Sequence, residues 1–453
     1  MSSHSRRRFL GHGAALLAMA SAGPLSLQAF APNKIRRVAL IGTGWYGKSD
    51  LFRLMQVADI DIVGLCDPDK NQLKEAVDRI NTRRKSNKPI PTYGKHEDLL
   101  KAQKPDIVLI GSPDHWHALQ AIDSIRSGSD VYLQKPISVD IMEGEAILAA
   151  ARKYGRVVQV GTQRRSTHHL VEAKKKFIDS GALGKVHHVE MFCYYHMRNT
   201  SNPPLQPVPD FLDYERWTGP APLRPYDGLP HRGWWRAFME YGNGIMGDMC
   251  IHMFDAVRWM LDLGWPTRVN STGGIFSSEQ GKCNTADTQT ATFEYPGLAC
   301  VWQHRTWGTT PDTDYPWGFK IYGEKGTLCA SVMRYDFIPE DGGKTIHGDV
   351  LYEKEKYPED LTEEDIELHC AAATRAHMRD FITAIDKRSM PVADIAEGHA
   401  STASCILANM SMKLGRPLRY DPVKRIVLGD EEATRMLARS YRSPWVHPDP
   451  DKV

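Results

Sequence analysis

No stretch beyond the N-terminal region approaches the roughly 18 uninterrupted apolar residues that a membrane-spanning helix needs, so no span is expected in the mature chain. Cysteine is sparse and scattered, 8 in 453 residues without a single C-x-x-C pair. Charge of either sign is not in excess: 57 Lys+Arg against 55 Asp+Glu leave +2, too little to imply a nucleic-acid or membrane-surface partner. What is present is ordinary for a globular protein, with 42% hydrophobic and 25% charged residues, which excludes disordered and collagen-like classes. At about 150 residues per domain, the length suggests two or three domains and a large core.

The near-neutral charge conceals an asymmetry. Residues 1–31 hold Arg6, Arg7 and Arg8 and no acid, leaving 54 bases against 55 acids in the rest. Arg-Arg-x-Phe-Leu, a short Gly/Ala-rich apolar run and Ala29-Phe30-Ala31 form the pattern of a removable twin-arginine leader. Its apolar run is too short for a permanent anchor. The expected location is therefore periplasmic or otherwise outside the cytoplasm. Disulfides are possible there, yet Cys66 and Cys329 sit inside apolar strand-like runs that suit buried free thiols, so no disulfide framework is expected.

From Arg37 onward, short β-branched runs alternate with helical patterns. Val38 to Ile41, Ile62 to Cys66, Ile107 to Ile110, Val131 to Leu133 and Val157 to Val160 lack polar alternation, as strands covered on both faces do. Between them, His115 to Ser127 and Val139 to Tyr154 read as helices, the second with Ser138 as N-cap and Gly155 as its end. The pattern predicts a doubly wound α/β domain. Its first strand runs into Gly42-Thr43-Gly44-Trp45-Tyr46-Gly47, a G-x-G-x-x-G between strand and helix. Gly42 permits the turn, Gly44 admits a pyrophosphate, Gly47 lets the helix pack closely, and the helix N-terminus attracts phosphate. Asp67 ends the second strand, where a carboxylate binds ribose hydroxyls and repels a 2′-phosphate. NAD is favoured over NADP on that ground, though Lys70 nearby works against the preference.

Three further segments narrow the class: Ser112-Pro113-Asp114-His115-Trp116-His117-Ala118 after one strand, Gln134-Lys135-Pro136 after the next, and Gly247-Asp248-Met249-Cys250-Ile251-His252 far downstream. In this order the chain resembles the glucose-fructose oxidoreductase, inositol dehydrogenase and rhizopine catabolism (Gfo/Idh/MocA) family, its twin-arginine-exported members in particular. The likeness continues through Tyr322-Gly323-Glu324-Lys325-Gly326-Thr327-Leu328 and through Phe381 to Gly398. It implies an open-sheet second domain holding a sugar, polyol or glycoside beside the nicotinamide, no metal, and a dimer or tetramer. Alternating segments at Val186 to Tyr195, Arg268 to Ile275, Thr288 to Tyr295, Ala299 to Thr306 and Phe319 to Tyr322 fit a mostly antiparallel sheet. The expected fold class is thus α/β, an N-terminal Rossmann parallel sheet plus a C-terminal α+β domain. The expected division is a leader over 1–31, an NAD(P)-binding domain over 32–165, a substrate and oligomerisation domain over 166–420 and a tail over 421–453.

Lys135, at the carboxyl end of a parallel strand, can hydrogen-bond a reacting oxygen and stabilise alkoxide charge. The family usually has Glu before this lysine; Gln134 keeps the hydrogen bonding and drops the charge. Asp248 and His252 stand i, i+4 on a predicted helix, an arrangement in which His takes a hydroxyl proton and the carboxylate orients the ring. The family's matching Asp and His bind substrate and act in catalysis, so Lys135, Asp248 and His252 are the expected catalytic and substrate-binding set, with Arg164 as a further substrate contact. Gly42, Thr43, Gly44, Trp45, Tyr46, Gly47, Asp67, Ser112, Pro113, His115, His117 and Gln134 are the expected cofactor-binding set. Metal sites through Cys250 and His252, or His115 and His117, would need third and fourth ligands. Eight of the eleven tryptophans fall between Trp217 and Trp317, where they could stack on sugar rings or fill a core, and Pro203 to Pro230 is a long Pro-rich loop of functional length. His188, His196, His231 and His304 have no expected role.

Three functions remain open at this stage. The first is hydride transfer between tightly bound NAD(P) and a sugar or polyol hydroxyl, because free NAD should be scarce outside the cytoplasm. The second is an NAD-dependent glycosidase that oxidises C3 transiently, eliminates the aglycone and reduces the ketone again. The third is a non-catalytic sugar- or partner-binding protein.

Overall fold

The computed structural model describes residues 35–194, 201–277, 281–363 and 367–453. The expected leader over 1–31, Tyr195 and His196 lie outside the described residues.

The apolar runs without alternation form one six-stranded parallel sheet. Its elements are β1 (Arg36–Ile41), α1 (Trp45–Met55), β2 (Ile60–Cys66), α2 (Lys70–Arg84), β3 (Thr92–Tyr93), α3 (His96–Gln103), β4 (Ile107–Ile110), α4 (His117–Arg126), β5 (Asp130–Leu133), α5 (Ile141–Lys153) and β6 (Val158–Val160). The spatial order β3-β2-β1-β4-β5-β6 reverses between β1 and β4, and ligands bind at such a reversal. The cap of α5 departs from expectation. Asp140, not Ser138, accepts the Glu143 N–H at 2.8 Å, and its other oxygen takes the Arg439 N–H, so the helix starts two residues late.

The second half holds α6 (His168–Ala173), β7 (Val186–Cys193), α7 (Tyr214–Thr218), α8 (Ile251–Met260), β8 (Arg268–Gly274), β9 (Thr288–Tyr295), β10 (Leu298–Arg305), β11 (Trp317–Gly323), β12 (Gly326–Ser331), β13 (Arg334–Pro339), β14 (Ile346–Asp349), α9 (Leu368–Lys387) and α10 (Ile395–Leu414). Its sheet runs β14-β13-β12-β11-β7-β10-β9-β8, antiparallel except for the β7–β10 pair. Alternation along β9 and β10 puts Ala291, Phe293, Cys300 and Trp302 into a core shared with α8 and α10. All eight cysteines are free thiols, seven of them buried. Among the described residues no helix is long and apolar enough to cross a membrane.

The two halves exchange elements. Met378, Phe381 and Ala384 of α9 fill the core between α1, α2 and the parallel sheet, although α9 lies far downstream in sequence. Gly398 of α10 sits against β6 so tightly that a Cβ would come 2.4 Å from Val160. Phe381→Ala should therefore destabilise the first half, by about 3–5 kcal/mol, and lower cofactor affinity with it. Denaturant unfolding of the variant with and without NAD would check this, and an unchanged midpoint would show that α9 is not part of that core.

Candidate active site

The glycine-rich loop is built by contact. Gly42 has φ +83°, and a Cβ on it would lie 2.3 Å from the backbone nitrogen of Ser112; one on Gly47 would lie 2.1 Å from the Gly42 carbonyl oxygen. Gly44 caps α1, and nothing stands within 4 Å of where its Cβ would be, so the helix N-terminus is open to a cavity of about 310 Å³. Asp67 lines that cavity; one oxygen accepts the Thr43 N–H at 2.9 Å and the other the Asp69 N–H at 3.0 Å. Burial raises its pKa, and these bonds oppose the rise. The donor set, the open helix terminus and the carboxylate fit a dinucleotide.

Of the other expected cofactor residues, Trp45, Tyr46, Ser112 and Pro113 line the cavity, while Thr43 and Gly47 support the loop from behind. Two histidines correct the expectation. His117 has its ring nitrogens against the carbonyls of Pro136 (2.7 Å) and Ser112 (2.9 Å), which ties two loops together beneath the cleft. His115 turns away, 3.1 Å from the Trp217 carbonyl, and borders a separate cavity. Trp116, between them, faces the cleft.

The cleft has a roof that sequence reasoning placed only as a Pro-rich loop. Lys70 N–H donates to the Phe211 carbonyl (2.9 Å), Asp213 N–H donates to the Pro68 carbonyl (3.0 Å), and His231 Nε2 lies 3.1 Å from Asp69 Oδ2. Trp217, Trp235, Arg236 and Arg216 complete the wall, with the Arg216 guanidinium 4.7 Å above the Trp116 ring. Asp69 is the N-cap of α2, its carboxylate accepting the Asn71 and Gln72 N–H groups, and neither this cap nor its pairing with His231 was expected from the sequence.

Lys135 follows β5. Its Nζ donates to Asp248 Oδ1 at 2.6 Å and to the Asp248 carbonyl at 3.0 Å, and Arg236 Nε lies 3.1 Å from the same Oδ1. All three of Lys135, Asp248 and His252 are at most 8% exposed. Asp248 does not orient His252 by a hydrogen bond, as the spacing had suggested. Met246–Cys250 is a wide π turn leading into α8, and the carboxylate turns to the two cations, whose attraction exceeds that of a neutral ring. Burial alone would raise the Asp248 pKa, but Lys135 and Arg236 hold it well below the usual carboxylate range. Burial, then Lys135 and Arg164, hold His252 well below its ordinary 6.5. Among the described residues His252 Nδ1 has no hydrogen-bond partner; the ring packs edge-on to Trp317, 5.6 Å between centroids. Arg164 stands over the same tryptophan at 5.4 Å, nearly fully buried, with Nη2 3.5 Å from Cys370 Sγ. The structure thus brings together Lys135, Asp248, His252 and Arg164, and adds Arg236 and Trp317, which no motif had marked.

A parallel sheet with a dinucleotide cleft at its reversal, joined to an open-sheet second half, defines a nicotinamide-dependent oxidoreductase. Three models of one family match: an oxidoreductase family NAD-binding Rossmann fold over residues 36–162, a GFO/IDH/MocA C-terminal domain over 171–329, and an oxidoreductase family C-terminal alpha/beta domain over 349–447. The chain belongs to the Gfo/Idh/MocA oxidoreductase family. The myo-inositol 2-dehydrogenase of Thermotoga maritima is 22% identical over 66% of this chain and 76% of its own length. A glycosyl hydrolase family 109 protein of Stenotrophomonas maltophilia is 26% identical over 71% and 73%. A levoglucosan dehydrogenase solved with NADH and levoglucosan shares the fold, at TM-score 0.62 and 17% identity over 85% of this chain and 99% of that one.

Gly47→Ala should break the loop contact, lowering NAD affinity at least about tenfold. Titration of protein fluorescence with NADH would check this, and wild-type affinity would contradict the loop geometry.

Proposed function

We propose that the protein oxidises a secondary hydroxyl of a sugar, polyol or glycoside, using NAD that stays bound between turnovers. The Lys135–Asp248 pair beside a neutral, buried His252 is the observation that carries this reading. The Lys135 ammonium donates to the substrate oxygen and stabilises its developing negative charge. His252, uncharged and with Nδ1 free among the described residues, accepts the hydroxyl proton. Asp248 holds the ammonium in place, and Trp317 holds the imidazole. Bound NAD supplies the acceptor for the hydride that leaves the same carbon. Arg164, packed on Trp317, is the further substrate contact.

Retention of the cofactor draws support from the segment that is bonded to the β2–α2 loop through Phe211 and Asp213 and sends Arg216 and Trp217 to the wall of the cofactor cavity. It also suits residues 1–31 acting as a twin-arginine leader, because that route carries proteins already folded around a cofactor. With bound NAD, the hydride goes either to a second sugar or back to the first substrate. The second course is the transient-oxidation glycosidase, and the likeness to a glycosyl hydrolase family 109 protein favours keeping it.

The test is purification after cytoplasmic expression, assay of copurified NAD(H), and incubation with nitrophenyl glycosides, glucose and myo-inositol without added cofactor. Copurified NAD(H) with a ketone product, or with aglycone release and no net NADH, supports the reading; the outcome separates its two courses. A protein that neither retains nor binds NAD refutes it. Lys135→Met should lose at least about a hundredfold in turnover with cofactor retained, and full turnover would refute the assignment of the lysine.

A further inference from the structure

The segment 437–447 belongs to no sheet and no helix, yet it is bonded to the cofactor wall from both sides of the cleft. Arg442 donates repeatedly to one short stretch: its backbone N–H to the Pro220 carbonyl (2.9 Å), Nε to the Gly219 carbonyl (3.2 Å) and Nη2 to the Glu215 carbonyl (3.1 Å). That stretch, residues 215–221, brings Arg216 and Trp217 to the cofactor cavity. The Arg442 guanidinium lies 4.6 Å over the Trp445 ring, and Trp445 meets Trp116 edge-on, 5.9 Å between centroids. Trp116 lines the same cavity from the first half of the chain. Its Nε1 donates to the Trp217 carbonyl at 3.0 Å, and a Cβ on Gly219 would come 2.3 Å from its ring. Arg442 and Trp445 thus bracket the joint at which two walls of the cavity meet.

The same segment is fastened to the start of α5, a few residues beyond Lys135. The Leu437 carbonyl accepts the Ile141 and Met142 N–H groups, each at 3.1 Å. Asp140 Oδ2 accepts the Arg439 N–H at 2.8 Å and has His447 Nε2 at 2.9 Å, and the Tyr441 hydroxyl donates to Glu143 Oε1 at 2.5 Å. Asp140 is 1% exposed and Glu143 0%. Two buried carboxyl groups beside one imidazole make a fastening that depends on protons.

We propose that residues 437–447 form a strap that sets how long NAD stays bound, with Arg442 and Trp445 as positioning residues for Trp116 and residues 215–221, and with Asp140, Glu143 and His447 as its fastening. The inference rests on the retention of NAD proposed above. Burial, then the neighbouring Asp140, raises the Glu143 carboxyl to about 8. Burial opposes a charged His447, but the hydrogen bond to Asp140 and the charges of Asp140 and Glu143 raise it above its ordinary 6.5. The other groups facing this pair are Tyr441, pushed up by burial and by Glu143, and Arg439, whose guanidinium donates to Asn243 Oδ1 at 2.9 Å. Glu143 and His447 hold protons more firmly under the docked strap than in water. The fastening is therefore complete at acid pH and is lost as pH rises through about 8. Segments outside the main cores open locally, at a fraction of the free energy of global unfolding.

The experiment mixes NADH-loaded protein with excess NAD⁺ and reads the dissociation rate from the loss of energy transfer between tryptophan and the bound dinucleotide. At neutral pH, Trp445→Ala and Arg442→Ala should each release NADH about tenfold faster than wild type, and Trp445→Phe should stay within about threefold. Lys452→Ala, which removes an exposed ammonium paired with Asp449, should change nothing. Between about pH 6.5 and about pH 9 the wild-type rate should rise about tenfold, while Glu143→Gln, which keeps an acceptor for Tyr441 and cannot ionise, should stay within about threefold.

Slower release than wild type at alkaline pH is a gain that general loosening of the fold does not produce, so Glu143→Gln decides the matter if Trp445→Ala does not fold. Wild-type rates in both Trp445→Ala and Arg442→Ala would overturn the inference, as would a wild-type rate that is flat with pH or a rise as steep in Glu143→Gln. A wild type that binds NADH but loses it faster than it turns over refutes the proposed retention, and the ratios of variant to wild-type rates then decide the role of the strap.

Discussion

The bond from Lys135 Nζ to Asp248 Oδ1, 2.6 Å long and almost wholly buried, joins residues 113 apart in sequence. One partner ends a strand of the parallel sheet; the other lies on the turn that launches α8 into the core of the second sheet. A buried ion pair is poor evidence of added stability, but removing one partner strands the other charge at a cost of about 3–5 kcal/mol. The two halves are thus held in a position where the strand end, the turn and the cleft meet. The fold supports that meeting point from both directions, with α9 filling the core of the first half and α10 packed against β6.

Around this bond the protonation states are sorted by environment. Asp248 is kept ionised by two cations, His252 is kept neutral by burial and by the same positive field, and the buried carboxyl of Asp114 is pushed well up. A site so arranged has a fixed hydrogen-bond donor and an uncharged proton acceptor side by side at neutral pH, which is what oxidation of an alcohol requires. The roof over the cofactor cleft adds a second constraint. Its links to Pro68 and Lys70 are backbone bonds and its link to Asp69 is the His231 side chain, so this wall is tied to the β2–α2 loop by chain path and side chain together.

Much of the fold was legible because buried parallel strands and glycine loops leave local traces. The runs Val38 to Ile41 and Ile107 to Ile110, the G-x-G-x-x-G and Asp67 each carry their meaning within a few residues. The partners that set the chemistry leave no such trace. Arg236 reaches Asp248 only through tertiary packing and sits in no motif of its own, and Gln134, expected at the cofactor, donates its amide to Asp50. The i, i+4 spacing of Asp248 and His252 singled out two residues that the fold sets beside Lys135 and Trp317. It suggested the wrong hydrogen bond, because spacing cannot register a competing lysine and arginine or a π turn. His115 and His117 misled for a related reason: a cluster of histidines after a strand reads as a site, whereas here the backbone carbonyls of Trp217, Pro136 and Ser112 take their nitrogens.

The central claim is that a hydride passes from a carbon of the sugar or polyol to NAD held by this chain. The most direct measurement is a single turnover of the NAD-loaded protein with a perdeuterated glycoside or perdeuterated myo-inositol, quenched by denaturation at successive times before the turnover is complete, with mass spectrometry of the cofactor released at each time. Deuterium carried in the recovered NADH, absent when Lys135→Met is used, is the result predicted. Ketone or aglycone formed with no deuterium ever entering the cofactor would contradict it.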